Sequence, residues 1–127
     1  MKIIIPKDSP KAGGHYSPGV ISNGMLYISG QLPVDPETGN TITGDVSAHA
    51  LRALQNMELI LIAAGLSKEN VVLCRVYISD VALWANVNSV YASFFGDHRP
   101  ARVVVPSRSL HGGALVEVEA MAELEIT

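Results

Sequence analysis

The segment ALVEVEAMAELEI, residues 114–126, alternates apolar and polar side chains more strictly than any other part of this 127-residue chain. Successive side chains of a β-strand point to opposite faces of a sheet, so this period of two predicts a strand with one buried face. The apolar side chains are expected to face helices: Val116, Val118, Ala120, Ala122, Leu124 and Ile126. The opposite face then carries Glu117, Glu119, Glu123 and Glu125. Such a strand requires a helical layer on one side of its sheet.

The rest of the chain supplies that layer and the other strands. GVISNGMLYISG predicts a hairpin, because Asn23-Gly24 tolerates the positive φ of a two-residue turn. Apolar residues recur at helical spacing from Asp45 to Ala64, and Gly65 is placed to end that helix. After the strand VVLCRVYIS, Asp80 can cap a second helix that stops at Gly96, and ARVVV predicts a short further strand.

The spacing within these elements predicts which side chains are buried. The strand VVLCRVYIS is expected to face the helices with Val72, Cys74, Val76 and Ile78. The second helix is expected to bury Leu83, Val87, Val90, Tyr91 and Phe94. This order of elements predicts an α+β fold in which two helices cover one face of a mixed sheet, with residues 1–127 as a single domain.

Composition narrows the class of protein. Hydrophobic residues make up 48% of the chain and charged residues 17%, as in a folded globular domain. The formal net charge of −3, with no basic block, argues against a nucleic-acid partner. The one cysteine cannot form an internal disulfide, and the apolar stretch in MKIIIPKDSP is too short for a signal peptide or a membrane span. These features predict a cytoplasmic protein with no membrane partner.

The second face of the predicted sheet mixes apolar and charged side chains. Strand parity places on it Leu73, Tyr77, Val104 and Met121 beside Arg75, Arg102 and Glu117. A partly apolar face is typical of contact with another subunit, and most small assemblies are closed and symmetric. The sequence therefore predicts a homo-oligomer.

Arg102 lies in RPARVVV, a run that otherwise predicts a buried strand, where an unpaired charge is costly. Two interpretations are open. A glutamate of the last strand can pair with Arg102 in a structural ion pair, since buried charges are usually paired. Alternatively, the guanidinium can clamp a substrate carboxylate, because its two parallel donors match two carboxylate oxygens.

Three further segments can contribute to a site. Glu117 follows the glycine-containing LHGGA; most charges on an alternating strand are solvated, but a carboxylate beside a flexible loop can orient or deprotonate water. Tyr16 of GGHYSPGV either packs as an amphipathic loop residue or closes its hydroxyl over a polar ligand. Ser29 and Gly30 of ISGQ stand at a strand end, where backbone can approach a ligand.

Neither a metal centre nor a thiol centre is indicated. The four histidines show no pair at metal-ligand spacing; His15 and His111 lie in glycine loops, and His49 is expected to be solvated on its helix. Cys74 has helix-facing parity and is expected to be a small buried hydrophobe. The sequence also lacks a Gly-Xaa-Ser-Xaa-Gly elbow, a phosphate loop and a dinucleotide fingerprint, which excludes most familiar enzyme classes.

Four segments, YISGQLPVDPETGN, NVVLCRVYISDVALWANVNSVYASFF, RPAR and VEVEAMA, follow one another over nearly the whole chain. In this order they resemble the RidA/YjgF family of small reactive-intermediate deaminases. The resemblance implies a chorismate-mutase-like α+β fold and a homotrimer with its three sites at the subunit clefts. It also implies hydrolysis of 2-imino or 2-enamino acids, released by pyridoxal-phosphate enzymes, to 2-oxo acids and ammonia without a metal or organic cofactor.

Position by position, the resemblance implies roles for single residues. Arg102 in PAR matches the arginine that holds the substrate carboxylate, and Glu117 in VEVEA matches the glutamate associated with the attacking water. Tyr16 in HYS matches a tyrosine that lines the pocket, and Ser29 and Gly30 in SGQ match the strand-end segment of the site.

The second helix and three departures from the family pattern complete the predicted site. Asn88 and Tyr91 match positions of the second helix that have either a substrate-binding or a structural role. Val104 replaces a frequent cysteine, which excludes thiol chemistry there, while His15 and His111 replace prolines and are expected to affect substrate range.

Two alternatives remain: a deaminase of dicarboxylic enamines such as an aminomuconate, or a non-catalytic ligand-binding or translation-inhibitor-type protein. The acidic balance argues against ribonuclease action.

Overall fold

The computed structural model describes residues 1–126, which form a six-stranded sheet covered by two α-helices. The strands are β1 (Lys2–Ile4), β2 (Gly19–Ser22), β3 (Met25–Gln31), β4 (Val71–Ile78), β5 (Ala101–Pro106) and β6 (Val116–Glu123). The helices are α1 (Val46–Ala63) and α2 (Trp84–Phe95). The strand order is β1-β2-β3-β6-β4-β5, in which β5 pairs parallel with β4 and the other neighbours are antiparallel. The predicted α+β fold with a mixed sheet is confirmed.

The Asn23-Gly24 turn and the Asp45 cap act as predicted, whereas Asp80 caps a single 3₁₀ turn, Val81–Leu83, and α2 begins after it at Trp84 without a side-chain cap. Asn23 and Gly24 join β2 to β3 with φ values of 51° and 76°. The Asp45 side chain accepts a hydrogen bond from the backbone N–H of Ala48 at 3.0 Å, and Gly65 follows α1 with a φ of 77°. None of the helices within residues 1–126 combines the length and apolar character that crossing a bilayer requires.

The core lies between the two helices and one face of the sheet. The predicted alternation of β6 is confirmed, because Val116, Val118, Ala120 and Ala122 are buried while the intervening side chains are half-buried. Ile126 was expected in the same apolar row, but β6 ends at Glu123 and Ile126 is 65% exposed.

Two predicted burial patterns are wrong in part. Val71, rather than Val72, is buried in β4, because the register against β6 shifts between Val71 and Leu73. A bulge of this kind turns the extra residue out of the alternation. The buried side chains of α2 are Val87 and Tyr91, as predicted, and Phe95, whose ring centroid lies 4.7 Å from that of Tyr91. Leu83, Val90 and Phe94 were also expected to be buried but are only half-buried.

The face assigned to Arg102 and Val104 is also wrong. In the parallel register of β5 with β4, Arg102 pairs with Cys74 and Val104 pairs with Val76. Paired neighbours in a sheet point to the same face, and Cys74 and Val76 are buried under the helices. Arg102 and Val104 therefore point to the helical side. The all-apolar run around Arg102 carries no alternation that could have revealed its face.

The bulge in β4 can be tested by comparing Val71→Ala with Val72→Ala. Val71 is 1% exposed, so Val71→Ala should lower the free energy of unfolding by about 2 kcal/mol through lost burial and a residual cavity. Val72→Ala should cost less than about 1 kcal/mol. Urea unfolding at equal protomer concentrations measures both, and a larger loss at Val72 would contradict the register.

Candidate active site

The structure divides the predicted site residues into two groups on opposite faces of the sheet. Five of them line one open cleft of about 1350 Å³: Tyr16, Ser29, Gly30, His111 and Glu117. The other three lie on the helical side of β5 and in α2: Asn88, Arg102 and Val104. The expectation that Arg102 and Glu117 share a face is therefore wrong for a single copy of the chain.

A bulge at the end of β3 shapes the floor of the cleft. Ile28 pairs with Ala120 and Gln31 with Val118, so Ser29 and Gly30 leave the regular register. The Ser29 hydroxyl donates to the carbonyl of Ser17 at 2.6 Å, and its N–H donates to the carbonyl of Pro18 at 3.0 Å. These bonds tie the segment that carries Tyr16 to the sheet. The Tyr16 side chain remains 49% exposed.

Gly30 is required by its closeness to Glu117. A Cβ at position 30 would lie 2.5 Å from Oε2 of Glu117, which is closer than real Cβ contacts allow. The absence of a side chain at Gly30 lets the Glu117 carboxylate lie against the backbone of β3. The backbone at this strand end was expected to approach a ligand, and the group that it approaches in the structure is the Glu117 carboxylate of the same chain.

Glu117 has a perturbed carboxyl group. Burial raises its pKa above the usual range, the charge of Glu119 raises it further, and His111 has an opposing, weaker influence. Glu119 has its own partners, since it accepts a hydrogen bond from the Tyr77 hydroxyl at 2.5 Å and lies 3.7 Å from Arg75. Glu117 is therefore a stronger base than an exposed glutamate, in a cleft open to ligands.

Arg102 is held by one face of α2. Its Nη1 donates to Oδ1 of Asn88 at 2.8 Å, and its guanidinium carbon lies 4.8 Å from the ring centroid of Tyr91 and 5.6 Å from that of Trp84. Within residues 1–126, Arg102 forms no ion pair with a carboxylate, so the pairing with a last-strand glutamate is not formed. Sequence reasoning missed Trp84, although the spacing of 84, 88 and 91 places these three side chains on one helix face.

The predicted burial of Cys74 is confirmed, and the predicted exposure of His49 is wrong. Cys74 is buried as predicted, and burial raises the pKa of its thiol to about 11. His49 is not solvated: it is 4% exposed, because its ring bonds to backbone groups of two loops. Within residues 1–126, no three His, Cys, Asp or Glu side chains are grouped to hold a metal ion.

Substitution of the neighbours of Glu117 should move its pKa in opposite directions. Glu119→Gln removes a like charge and should lower the pKa of Glu117, whereas His111→Gln removes an opposing influence and should raise it. Carboxyl ¹³C titration by NMR, assigned with Glu117→Gln, measures both shifts. The exposed Glu125→Gln serves as the control and should leave the pKa unchanged. Shifts of the same sign in both variants would contradict these electrostatics.

Comparisons with known proteins match almost the whole chain. The family model described as endoribonuclease L-PSP covers residues 6–124. A 2-iminobutanoate/2-iminopropanoate deaminase from Salmonella typhimurium is 40% identical over 124 residues, covering 95% of this chain and 96% of the relative. A RutC family protein from Pyrococcus horikoshii is 39% identical over 124 residues, covering 98% of each chain.

Solved structures agree with the sequence comparisons. The YjgF gene product from E. coli superposes with a TM-score of 0.92 at 37% identity, covering 98% of this chain and all of the other (100%). The motifs, the fold and the full-length matches lead to one conclusion: this chain belongs to the RidA/YjgF family, which the endoribonuclease L-PSP model describes.

Proposed function

We propose that this protein hydrolyses reactive 2-imino and 2-enamino acids to 2-oxo acids and ammonia, without a metal or organic cofactor. Relatives named 2-iminobutanoate/2-iminopropanoate deaminase, at 36% to 40% identity, support this substrate class. The substrates carry a carboxylate next to an electrophilic carbon. A site for them needs a cation that fixes the carboxylate and a base that activates water.

The main support for this proposal is the way in which Arg102 is held. Its guanidinium is oriented by the Asn88 amide and two aromatic rings, and within residues 1–126 no carboxylate neutralises it. Asn88 occupies one of its five N–H donors, so others are free for a ligand. A guanidinium held in this way is suited to bind the carboxylate of a small acid through two parallel hydrogen bonds.

Because Arg102 and Glu117 lie on opposite faces of the sheet, a site that uses both needs two copies of the chain. We propose that Arg102 of one copy faces the cleft of the next, in a homotrimer that closes the cycle. The sheet face that carries Glu117 supports this assembly, because Tyr27 and Val103 are 43% and 44% exposed there. An apolar face of this kind is suited to cover by a second copy.

In this arrangement hydrolysis proceeds in two stages, addition of water to C2 and then loss of ammonia. Arg102 holds the carboxylate while a water oxygen attacks C2 of the iminium ion, and Glu117 accepts the proton that the water loses. The resulting carbinolamine carries both a hydroxyl and an amino group on C2. Glu117 returns its proton to the nitrogen, and the C–N bond breaks with its electron pair leaving on ammonia. The Glu117 carboxylate accepts the hydroxyl proton as the C2 carbonyl forms, and the 2-oxo acid and ammonia leave, the latter taking up the released proton as ammonium.

The cleft residues have supporting roles in this proposal. The raised pKa of Glu117 strengthens it as the base, and also lets it give the proton back to nitrogen. Tyr16 and His111 line the same cleft as the Glu117 carboxylate and can hydrogen-bond to water or to the leaving ammonia. Ser29 and Gly30 set the floor against which the substrate lies, and Val104 contributes only packing.

Variants of the two charged residues test the proposed function. Glu117→Gln should lower the kcat for decay of 2-iminopropanoate by about 10²- to 10⁴-fold, because the base is lost. Arg102→Lys should lower kcat/KM by about 10- to 100-fold, because an ammonium cannot make the two-pronged contact. Decay is followed after the imine is generated in situ, with a dicarboxylic enamine as a second substrate.

Arg99→Lys is the matched control, since Arg99 is exposed three residues before Arg102 and should retain wild-type rates. The fluorescence of Trp84, the one tryptophan in the chain, reports 2-oxo acid binding near Arg102 independently of turnover. Wild-type protein that speeds the decay of neither substrate would contradict the proposal, and RNA cleavage by the same preparation would show the ribonuclease action that the acidic balance argues against.

A further inference from the structure

One buried side chain of α1 bonds to two segments that adjoin residues lining the cleft, and these two segments are called its walls below. His49 accepts a hydrogen bond from the N–H of Leu115 at its Nδ1, with 3.1 Å between the nitrogens. Its Nε2 lies 3.1 Å from the carbonyl oxygen of Ile42. Ile42 follows Thr41, which lines the cleft, and Leu115 lies between His111 and Glu117 in the sequence.

The two contacts determine the form of the imidazole. The backbone N–H of Leu115 can only donate, so Nδ1 must be the unprotonated acceptor. The carbonyl of Ile42 can only accept, so Nε2 must carry the proton and donate it. Both bonds exist together only in the neutral tautomer with the proton on Nε2, because a second proton on Nδ1 would face the N–H of Leu115.

The surroundings of His49 show that the two walls are closely spaced. A Cβ at Gly112 would lie 2.9 Å from Oγ1 of Thr41, so the two walls lie close together at this point. Leu115 is fixed further by its carbonyl, which accepts from the N–H of Ser79 at 3.1 Å. His49 therefore links the loop of Thr41 to the segment that leads from His111 into Glu117.

We propose that His49 is a positioning residue, which holds the two cleft walls at the spacing that Glu117 needs to activate water. This inference rests on the proposed deaminase function for its kinetic consequence, but not for the structural link itself. A side chain that both donates and accepts at this distance keeps both bonds, since loss of either one leaves a partly buried backbone group without this partner. His49 touches no substrate atom and acts through the placement of its neighbours.

The test compares His49→Leu, which removes both bonds, with His49→Gln, whose amide can donate to Ile42 and accept from Leu115. His49→Leu should lower kcat/KM for 2-iminopropanoate by about 10- to 100-fold, as expected for a misplaced catalytic group. The loss should fall mainly on kcat, because the carboxylate anchor is Arg102. His49→Gln should recover at least half of the lost rate on a logarithmic scale.

Asn70→Leu is the matched control. Asn70 is also a buried polar residue that bonds in two directions, to the carbonyl of Glu123 and to the N–H of Ser67, but these two partners do not line the cleft. Its replacement should destabilise the protein and leave kcat/KM within about twofold of wild type. A loss in Asn70→Leu equal to that in His49→Leu would reduce His49 to a general contributor to stability and overturn the proposal.

Amide hydrogen exchange separates failure of this proposal from failure of the proposed function. In the folded variants, exchange of the Leu115 N–H should accelerate in His49→Leu and return towards the wild-type rate in His49→Gln, whether or not the protein is a deaminase. Unchanged exchange in His49→Leu would overturn the link. If His49→Leu does not fold, ¹⁵N NMR of the wild-type imidazole decides, and a proton found on Nδ1 at neutral pH would overturn it.

Discussion

Strand β6 pairs with β3 along one edge and with β4 along the other, and the alternation of its side chains separates the core from the cleft. Its apolar row is buried and the strand packs against α1, so burial of that row fixes the strand's orientation. The same constraint turns Glu117 to the opposite face, against the backbone of Gly30. A shift of β6 by one residue would place carboxylates in the core, so the position of the candidate base follows directly from the packing that stabilises the fold.

The parallel pairing of β5 with β4 places Arg102 on the face of the sheet opposite to Glu117. It directs the guanidinium to the helical side, where Asn88, Tyr91 and Trp84 hold it without neutralising its charge. Over the described residues, 1–126, one copy thus presents a cation without a carboxylate partner on one face of the sheet and a candidate base on the other. In the proposed assembly, neither residue completes a site alone, so subunit contact and activity depend on each other. The proposed role of His49 concerns the same site, because its two hydrogen bonds link the cleft walls from inside the subunit.

Much of the fold could be predicted from local patterns. The strict alternation of β6, the Asn23-Gly24 turn and the Asp45 cap each have a direct physical signature, and each is confirmed. The faces of β5 could not be predicted, because its apolar run has no alternation and its register depends on pairing with β4. The burial of His49 was missed for a related reason: its partners are backbone groups from loops that are distant in sequence, and no side-chain pattern identifies them. Tyr16, Ser29, Gly30, His111 and Glu117 line one cleft, while their roles stay predictions.

Mixing two variants, Arg102→Ala and Glu117→Gln, tests most directly whether these residues meet across a subunit contact. Each variant alone should be nearly inactive against 2-iminopropanoate. When equal amounts are refolded together, each site of a cyclic assembly draws its arginine and its glutamate from different copies, so about a quarter of the sites should be native. A site shared between copies predicts recovery of about a quarter of the wild-type rate in the refolded mixture, and none when the two variants are mixed without exchange of subunits. No recovery after refolding, with wild-type protein active after the same treatment, would contradict a site shared between copies.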